Sequence, residues 1–193
     1  YIFIIQKKHQ EKFNIKSMLK ILQPNCKIIE IDQLTEGAAC TTLLAKKYIN
    51  NNDPLIIANS DQYIKWNSSQ SIYNFITKKI DGGILTFNSV HPKWSYAKCD
   101  KDSNVTEVAE KKVISNNATV GVYFWKKGSD YVKYANQMIK KNVRVNNEFY
   151  VCPVFNEAIK DSKTIKIEKV EEMHGLGTPE DLSNFLSYIQ AKK

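Results

Sequence analysis

Arginine is nearly absent from this chain. Of its 28 basic residues only Arg144 is an arginine, and the lysines are scattered singly or in pairs. Nucleic-acid binders usually carry a clustered basic stripe with arginine among the base and phosphate contacts. The formal net charge of +8 therefore reads as a solvated lysine surface, with no nucleic-acid partner; a smaller part of the excess favours a phosphorylated substrate. Long apolar runs are absent too. None approaches the roughly 18 residues that a membrane span needs, so no membrane partner is expected. Cys26, Cys40, Cys99 and Cys152 form no CxxC pair and only three histidines accompany them, which gives no zinc-ligand spacing. Reduced thiols in a cytoplasmic protein fit that pattern. Gly175-Leu176-Gly177 is too short for a dinucleotide fingerprint and opens no βα unit. The chain does not begin with Met. Tyr1-Ile2-Phe3-Ile4-Ile5 opens as if already inside a strand, so an N-terminal part is expected to be missing.

What is present is enough for one core. With 193 residues, 42% of them hydrophobic, a single domain over residues 1–193 is expected. The stretch Pro54-Leu55-Ile56-Ile57-Ala58-Asn59-Ser60-Asp61-Gln62 organises it. Four apolar residues run directly into a polar cluster, as expected for a strand buried on both faces whose end opens on a crevice. The alternative reading is a plain turn. Around this stretch the patterning predicts a strand at Tyr1–Ile5, a helix over Glu11–Leu22, a strand at Cys26–Ile31, a helix over Ala38–Ile49 and a helix near Ser69–Lys79. Strand-helix-strand alternation of this kind is the rhythm of a parallel α/β sheet. Strands at Ile84–Val90, Tyr96–Cys99, Val105–Glu110 and Ala118–Trp125 follow, then helices at Gly128–Lys141 and Val154–Ile159 and a strand near Thr164–Val170. Thr178-Pro179-Glu180-Asp181 supplies an N-cap, a first-turn proline and an acidic third residue. Leu182, Phe185, Leu186 and Ile189 then form the expected buried stripe.

Three segments place polar groups at strand ends. Gly37-Ala38-Ala39 carries side chains small enough for a ligand to approach the backbone at a helix start, and the amide of Gln33 just before it is suited to reading a base edge. Asp61 offers one carboxylate, and Mg²⁺ is commonly bound by one or two carboxylates together with substrate phosphates. Glu110-Lys111 ends a strand, where the lysine can neutralise a phosphate; the competing reading is a surface ion pair. No nucleophile triad is evident.

Taken in order, five segments resemble the nucleotidyltransferases that activate phosphorylated sugars and related small molecules. They are Leu34-Thr35-Glu36-Gly37-Ala38-Ala39-Cys40-Thr41, Ala58-Asn59-Ser60-Asp61-Gln62, Val108-Ala109-Glu110-Lys111, Thr119-Val120-Gly121-Val122-Tyr123-Phe124 and Gly177-Thr178-Pro179-Glu180-Asp181-Leu182. The resemblance implies a single Rossmann-like domain of the GT-A type, with a mixed, mostly parallel central sheet and flanking helices. It implies that Asp61 binds the catalytic Mg²⁺ and that Lys111 acts on phosphate. Gln33, Gly37, Ala38 and Ser60 would hold the nucleotide, with Glu110, Gly121 and Glu148 facing the acceptor. The wording of Ala58–Gln62 and Asn147-Glu148-Phe149-Tyr150 is most similar to a capsule-associated cytidylyltransferase subgroup. That finer resemblance implies CTP as donor and phosphoglutamine, or a sugar phosphate, as acceptor. Nothing in the sequence excludes a homo-oligomer.

Two departures stand out. The family's Gly-rich loop with its Arg, and the Pro-Lys motif after it, have no counterpart in these residues. Where many members place a second metal-binding Asp, this chain has Gly175. The rival readings are a GT-A glycosyltransferase using a nucleotide-sugar, and a non-catalytic nucleotide-binding module. The former usually shows Asp-x-Asp, and here Asn59 takes the first position.

Overall fold

The computed structural model describes residues 1–192. Strand β1 (Ile2–Gln6) leads through helices α1 (Lys7–Phe13) and α2 (Ile15–Leu22) to β2 (Lys27–Ile31), which pairs with β1 in parallel. The single helix expected over Glu11–Leu22 is therefore two, because Asn14 adopts a left-handed conformation (φ 49°) between them. Asparagine tolerates that conformation better than most residues. Helices α3 (Ala38–Leu43) and α4 (Lys46–Ile49) replace the expected continuous Ala38–Ile49 helix. Strands β3 (Leu55–Ala58) and β4 (Gln62–Lys65) precede α5 (Ser68–Thr77), β5 (Gly82–Asn88) and the hairpin of β6 (Ser95–Cys99) and β7 (Val105–Glu110). At its turn Asp100 accepts from the backbone of Asp102 and Asn104 and from the Asn104 amide. Strand β8 (Asn117–Trp125), α6 (Gly128–Lys140), α7 (Val154–Lys160), β9 (Ile165–Lys169), β10 (Glu172–Gly175) and α8 (Pro179–Ala191) complete the described chain.

The architecture is α/β with a mixed central sheet and flanking helices, as expected, but its balance is antiparallel. Strand β8 lies at the centre. It pairs antiparallel with β5, with β3 and with β6, and β7 pairs antiparallel with β6. Among the described residues only β9 joins this sheet in parallel, beside β5. The β6–β7 hairpin reverses the chain without a crossover helix, as antiparallel neighbours allow, and β8 then runs in the direction of β7 on the other side of β6. Strands β4 and β10, neither expected from the sequence, form a separate antiparallel pair.

Successive residues of β8 face opposite sides. Tyr123 and Trp125 enter one core with Tyr131, Tyr134 and Phe155 of α6 and α7, while Val122 and Phe124 enter a second with Phe75 of α5. The Trp125 and Phe155 rings stack 4.3 Å apart at 7°. Helices thus cover both faces of β8. Strand β3 is less enclosed than its apolar run suggests: Ile57 is buried, yet Ile56 is 42% exposed, because the edge of β3 away from β8 borders an open cleft. The stripe on α8 differs in the same sense. Phe185 is buried, whereas Leu182, Leu186 and Ile189 remain exposed.

The start of α8 is as the sequence predicts. Thr178 Oγ1 accepts from the Asp181 N–H at 3.1 Å and donates to the Asp181 carboxylate. Replacing a capping threonine with alanine removes a partner for an otherwise unpaired helical N–H. Thr178→Ala is expected to lower unfolding free energy by about 1 kcal/mol, read from the denaturant midpoint; an unchanged midpoint would show that the cap contributes nothing.

Candidate active site

The site grows from the end of β3. Beyond Ala58, the Asn59 N–H donates to the Gly121 carbonyl at 2.9 Å, extending the β3–β8 ladder by one bond. Gly121 has φ +72°, and a Cβ there would lie 2.4 Å from Asn59 Nδ2. Only glycine both adopts that backbone readily and leaves room for the Asn59 amide. On the other side the Leu176 N–H donates to the Asp61 carbonyl at 2.7 Å. Asp61 is therefore fixed between β8 and the segment after β10. Its carboxylate lies against Gly177, 2.6 Å from where a Cβ would stand.

Two cavities meet here. The larger, about 870 Å³, runs between β1 and β3 and reaches Asn59, Ser60 and Asp61. The smaller, about 270 Å³, contains Glu110, Lys111 and Gly121. Ala38, Asn59 and Val151 border both. The residues singled out in the sequence thus divide in two: Asp61 and Ser60 on the large cleft, Glu110, Lys111 and Gly121 in the small pocket. Glu148 lies outside the lining of either cavity, yet its charge acts on both Glu110 and Lys111. Gln33 is exposed on its loop and borders neither cavity.

Gly37 has a structural task in addition to any ligand role. Its φ is +122°, and a Cβ would stand 2.6 Å from the backbone N and O of Phe149. The close approach that a small residue permits is made by the chain itself. Phe149 N–H donates to the Glu36 carbonyl, and Ala39 N–H donates to the Phe149 carbonyl, so this helix-start amide is already used. Arg144 fastens the same junction by pairing with Glu36 and lying 3.9 Å over the Phe149 ring.

The small pocket is electrostatically tuned. Burial pushes the Glu110 carboxyl above its ordinary pKa, and the Ser95 hydroxyl that donates to it and the nearby Lys111 pull it back. Lys111 sits in a left-handed conformation (φ 52°) with its N–H donating to the Trp94 carbonyl. A non-glycine residue held there marks stored strain of the kind found at functional sites. Its ammonium donates to the Tyr150 hydroxyl at 2.7 Å, and that bond raises its pKa. Lys111 is therefore a positioned, permanently charged cation at neutral pH.

Sequence reasoning missed part of this wall. Lys93, Trp94 and Ser95 line the pocket beside Gln62 and Tyr150. His91-Pro92-Lys93-Trp94 follows β5, so the rule that drew attention to Asp61, polar groups after an apolar strand, applies to it equally. As for a metal, no cluster of three or more His, Cys, Asp or Glu is present among the described residues. Beside Gly175, the position a Cβ would take lies 3.7 Å from an Asp181 carboxylate oxygen. That carboxylate is held by Lys93 at 2.9 Å and by Thr178.

A cleft and a lysine-bearing pocket that share a wall at the end of β3 suit two phosphorylated ligands. The comparison with family models agrees across residues 1–192. The chain belongs to the nucleotidyl transferase family. Solved structures show the same fold. A nucleoside-diphosphate-sugar pyrophosphorylase from Vibrio cholerae RC9 matches with a TM-score of 0.80 at 21% identity, over 96% of this chain and 80% of that one. The inositol-1-phosphate CTP transferase from T. maritima matches with a TM-score of 0.72 at 11% identity, over 99% and 75%. A UDP-glucose pyrophosphorylase complexed with UDP-glucose gives 0.75 at 13%, over 100% and 81%. No curated protein matches this nucleotidyl transferase in sequence. No helix among its described residues is long and apolar enough to cross a membrane.

The balance at Glu110 gives a direct test. The Ser95 hydroxyl stabilises the ionised carboxylate, so Ser95→Ala leaves the effect of burial less opposed. The Glu110 pKa is expected to rise further, observed by NMR titration of its side-chain carbon. Any process needing ionised Glu110 would then fail at a higher pH as the solution is acidified. A fall in that pKa, or no shift, would contradict the assigned role of Ser95.

Proposed function

We propose that this nucleotidyl transferase moves a nucleoside monophosphate from a nucleoside triphosphate to the phosphate of a small acceptor, releasing pyrophosphate. The observation that carries the reading is the pair of adjoining cavities. The open cleft bordered by Asp61 and Ser60 suits the triphosphate, and the pocket holding Glu110 and Lys111 suits the acceptor. A phosphate oxygen of the acceptor forms a bond to the α-phosphorus as the bond from that phosphorus to the bridging oxygen breaks. Pyrophosphate departs with that electron pair. The attacking oxygen is already anionic, so no general base is required, and the protein's work is alignment and charge neutralisation.

Each residue takes one part. Ala38 and Ser60 border the nucleotide, and Gln33 and Gly37 belong to the loop that would read the base. Lys111, held charged by Tyr150, neutralises phosphate in the pocket. Glu110 and Gly121 form the acceptor side, Gly121 through its hold on Asn59, and Glu148 acts on it from outside the lining through its charge. Asp61 fits Mg²⁺: an exposed carboxylate on a backbone fixed from two sides suits a hard cation that takes one or two protein oxygens and completes its shell with phosphates and water. When bound, such an ion would supply positive charge beside the triphosphate.

CTP as donor and phosphoglutamine as acceptor, in making a capsule precursor, is the narrower form of this proposal. It rests on the Ala58–Gln62 and Asn147–Tyr150 wording; one structural neighbour is by name a CTP transferase.

The test is pyrophosphate release with Mg²⁺ across the four triphosphates and a panel of phosphorylated acceptors. Preference for CTP with phosphoglutamine supports the narrow form, and preference for a sugar 1-phosphate replaces it. Asp61→Ala is expected to reduce release by at least about a hundredfold. Unchanged release would remove Asp61 from the mechanism, and a nucleoside diphosphate as product would indicate glycosyl transfer.

A further inference from the structure

The wall of the small pocket holds two donors that the mechanism above does not use. One is Gln62, whose Nε2 is fully buried and has no hydrogen-bond partner. The other is Lys93, whose ammonium sits 4.6 Å from the Trp94 ring centroid and 2.9 Å from an Asp181 oxygen. Both line the pocket. Gly175, which pairs with Gln62 across the β4–β10 ladder, lies beside Trp94 and Asp181. A Cβ on Gly175 would lie 3.1 Å from Trp94 and 3.7 Å from Asp181. The absent side chain at 175 lets the Trp94 indole and Asp181 close up against the β10 backbone, and Asp181 in turn holds the Lys93 ammonium at the pocket wall.

The turn that carries Lys93 is fastened. Lys93 N–H donates to His91 Nδ1, Trp94 N–H to the His91 carbonyl, and the Tyr96 hydroxyl to the same carbonyl. Asp181 then orients the ammonium from the first turn of α8. An ammonium placed on a rigid turn and an unpaired buried amide N–H call for the same ligand chemistry, an oxyanion. Glu110, the carboxylate lining this pocket, is already engaged by Ser95.

We propose that Lys93 and Gln62 form an oxyanion subsite in the small pocket, which binds the acceptor through its phosphate or through a further carboxylate. This deepens the two-substrate reading and rests on it for the identity of the ligand. It makes the acceptor of this chain an anion recognised on two sides, by Lys111 and by Lys93.

The experiment uses the full chain and two probes that differ only in a carboxylate, glycerol 3-phosphate and 3-phosphoglycerate, titrated by calorimetry. Lys93→Gln is expected to weaken binding by about tenfold, the loss of one charge-assisted hydrogen bond, with Lys93→Arg retaining most of it. Gln62→Leu is expected to weaken it in the same direction. Equal losses for both probes assign the subsite to phosphate, and a loss confined to 3-phosphoglycerate assigns it to the carboxylate. Failure of the wild-type chain to bind either probe overturns the proposal. So does unchanged binding by Lys93→Gln, and a lowered melting temperature alongside it would reduce the Lys93–Asp181 pair to a surface salt bridge. Probe binding lost in Lys93→Gln, from a wild-type chain that releases no pyrophosphate with any triphosphate, would support the subsite and refute the transfer reaction.

Discussion

The site depends on one backbone contact, the hydrogen bond from Asn59 N–H to the carbonyl of Gly121. Strand β8 bulges there. Ile84 of β5 faces Tyr123 and Thr86 faces Thr119, so three residues of β8 span the place of one on its neighbour. Gly121 at the centre, with positive φ, turns its carbonyl to Asn59 and leaves room for the Asn59 side chain. Bulges re-aim strands near functional sites. Here the bulge decides where β3 stops and hence where Ser60 and Asp61 emerge. With Leu176 holding the Asp61 carbonyl from the other side, the carboxylate is presented from a backbone with little freedom to retreat.

A second constraint ties distant parts of the chain to that strand. The Glu36–Ala39 turn is hydrogen-bonded to Phe149, and Arg144 bridges the two segments. The loop beside the cleft and the Glu148-Phe149-Tyr150 segment beside the pocket are thereby one unit. Tyr150 directly follows the residue that this loop holds, and its hydroxyl accepts from the ammonium of Lys111. The two cavities are joined by main-chain bonds as well as by their shared wall.

Local features were legible in the sequence, and environmental ones were not. The cap of α8 depends on four consecutive residues, and it forms as read. The end of β3 and the Glu110-Lys111 strand end likewise follow from runs of a few residues. Burial is different, because it depends on what packs against an element. Ile56 and the α8 residues Leu182, Leu186 and Ile189 read as core from their spacing and stand exposed. Strand direction also leaves no trace in hydrophobic period, so an α/β rhythm predicted a parallel balance where β8 has antiparallel partners. Asn14 and Lys111 adopt left-handed conformations that only the surrounding structure determines. Lys93 escaped notice because a lone lysine among so many carries no signal until Asp181, Trp94 and Gly175 are brought around it.

The cleft between β1 and β3 has walls of an unusual kind. Among the described residues β1 pairs only with β2, and β3 only with β8, so each presents one row of unpaired peptide groups to the open space. Such groups bind polar partners without regard to which side chain their residue carries. Exchanges among Ile, Val and Leu along Ile2–Ile5 or Leu55–Ile57 leave that hydrogen-bonding face as it was. The hydrogen-bonding capacity of these two edges therefore survives exchange of side chains, as that of Asp61, Lys111 and Lys93 does not.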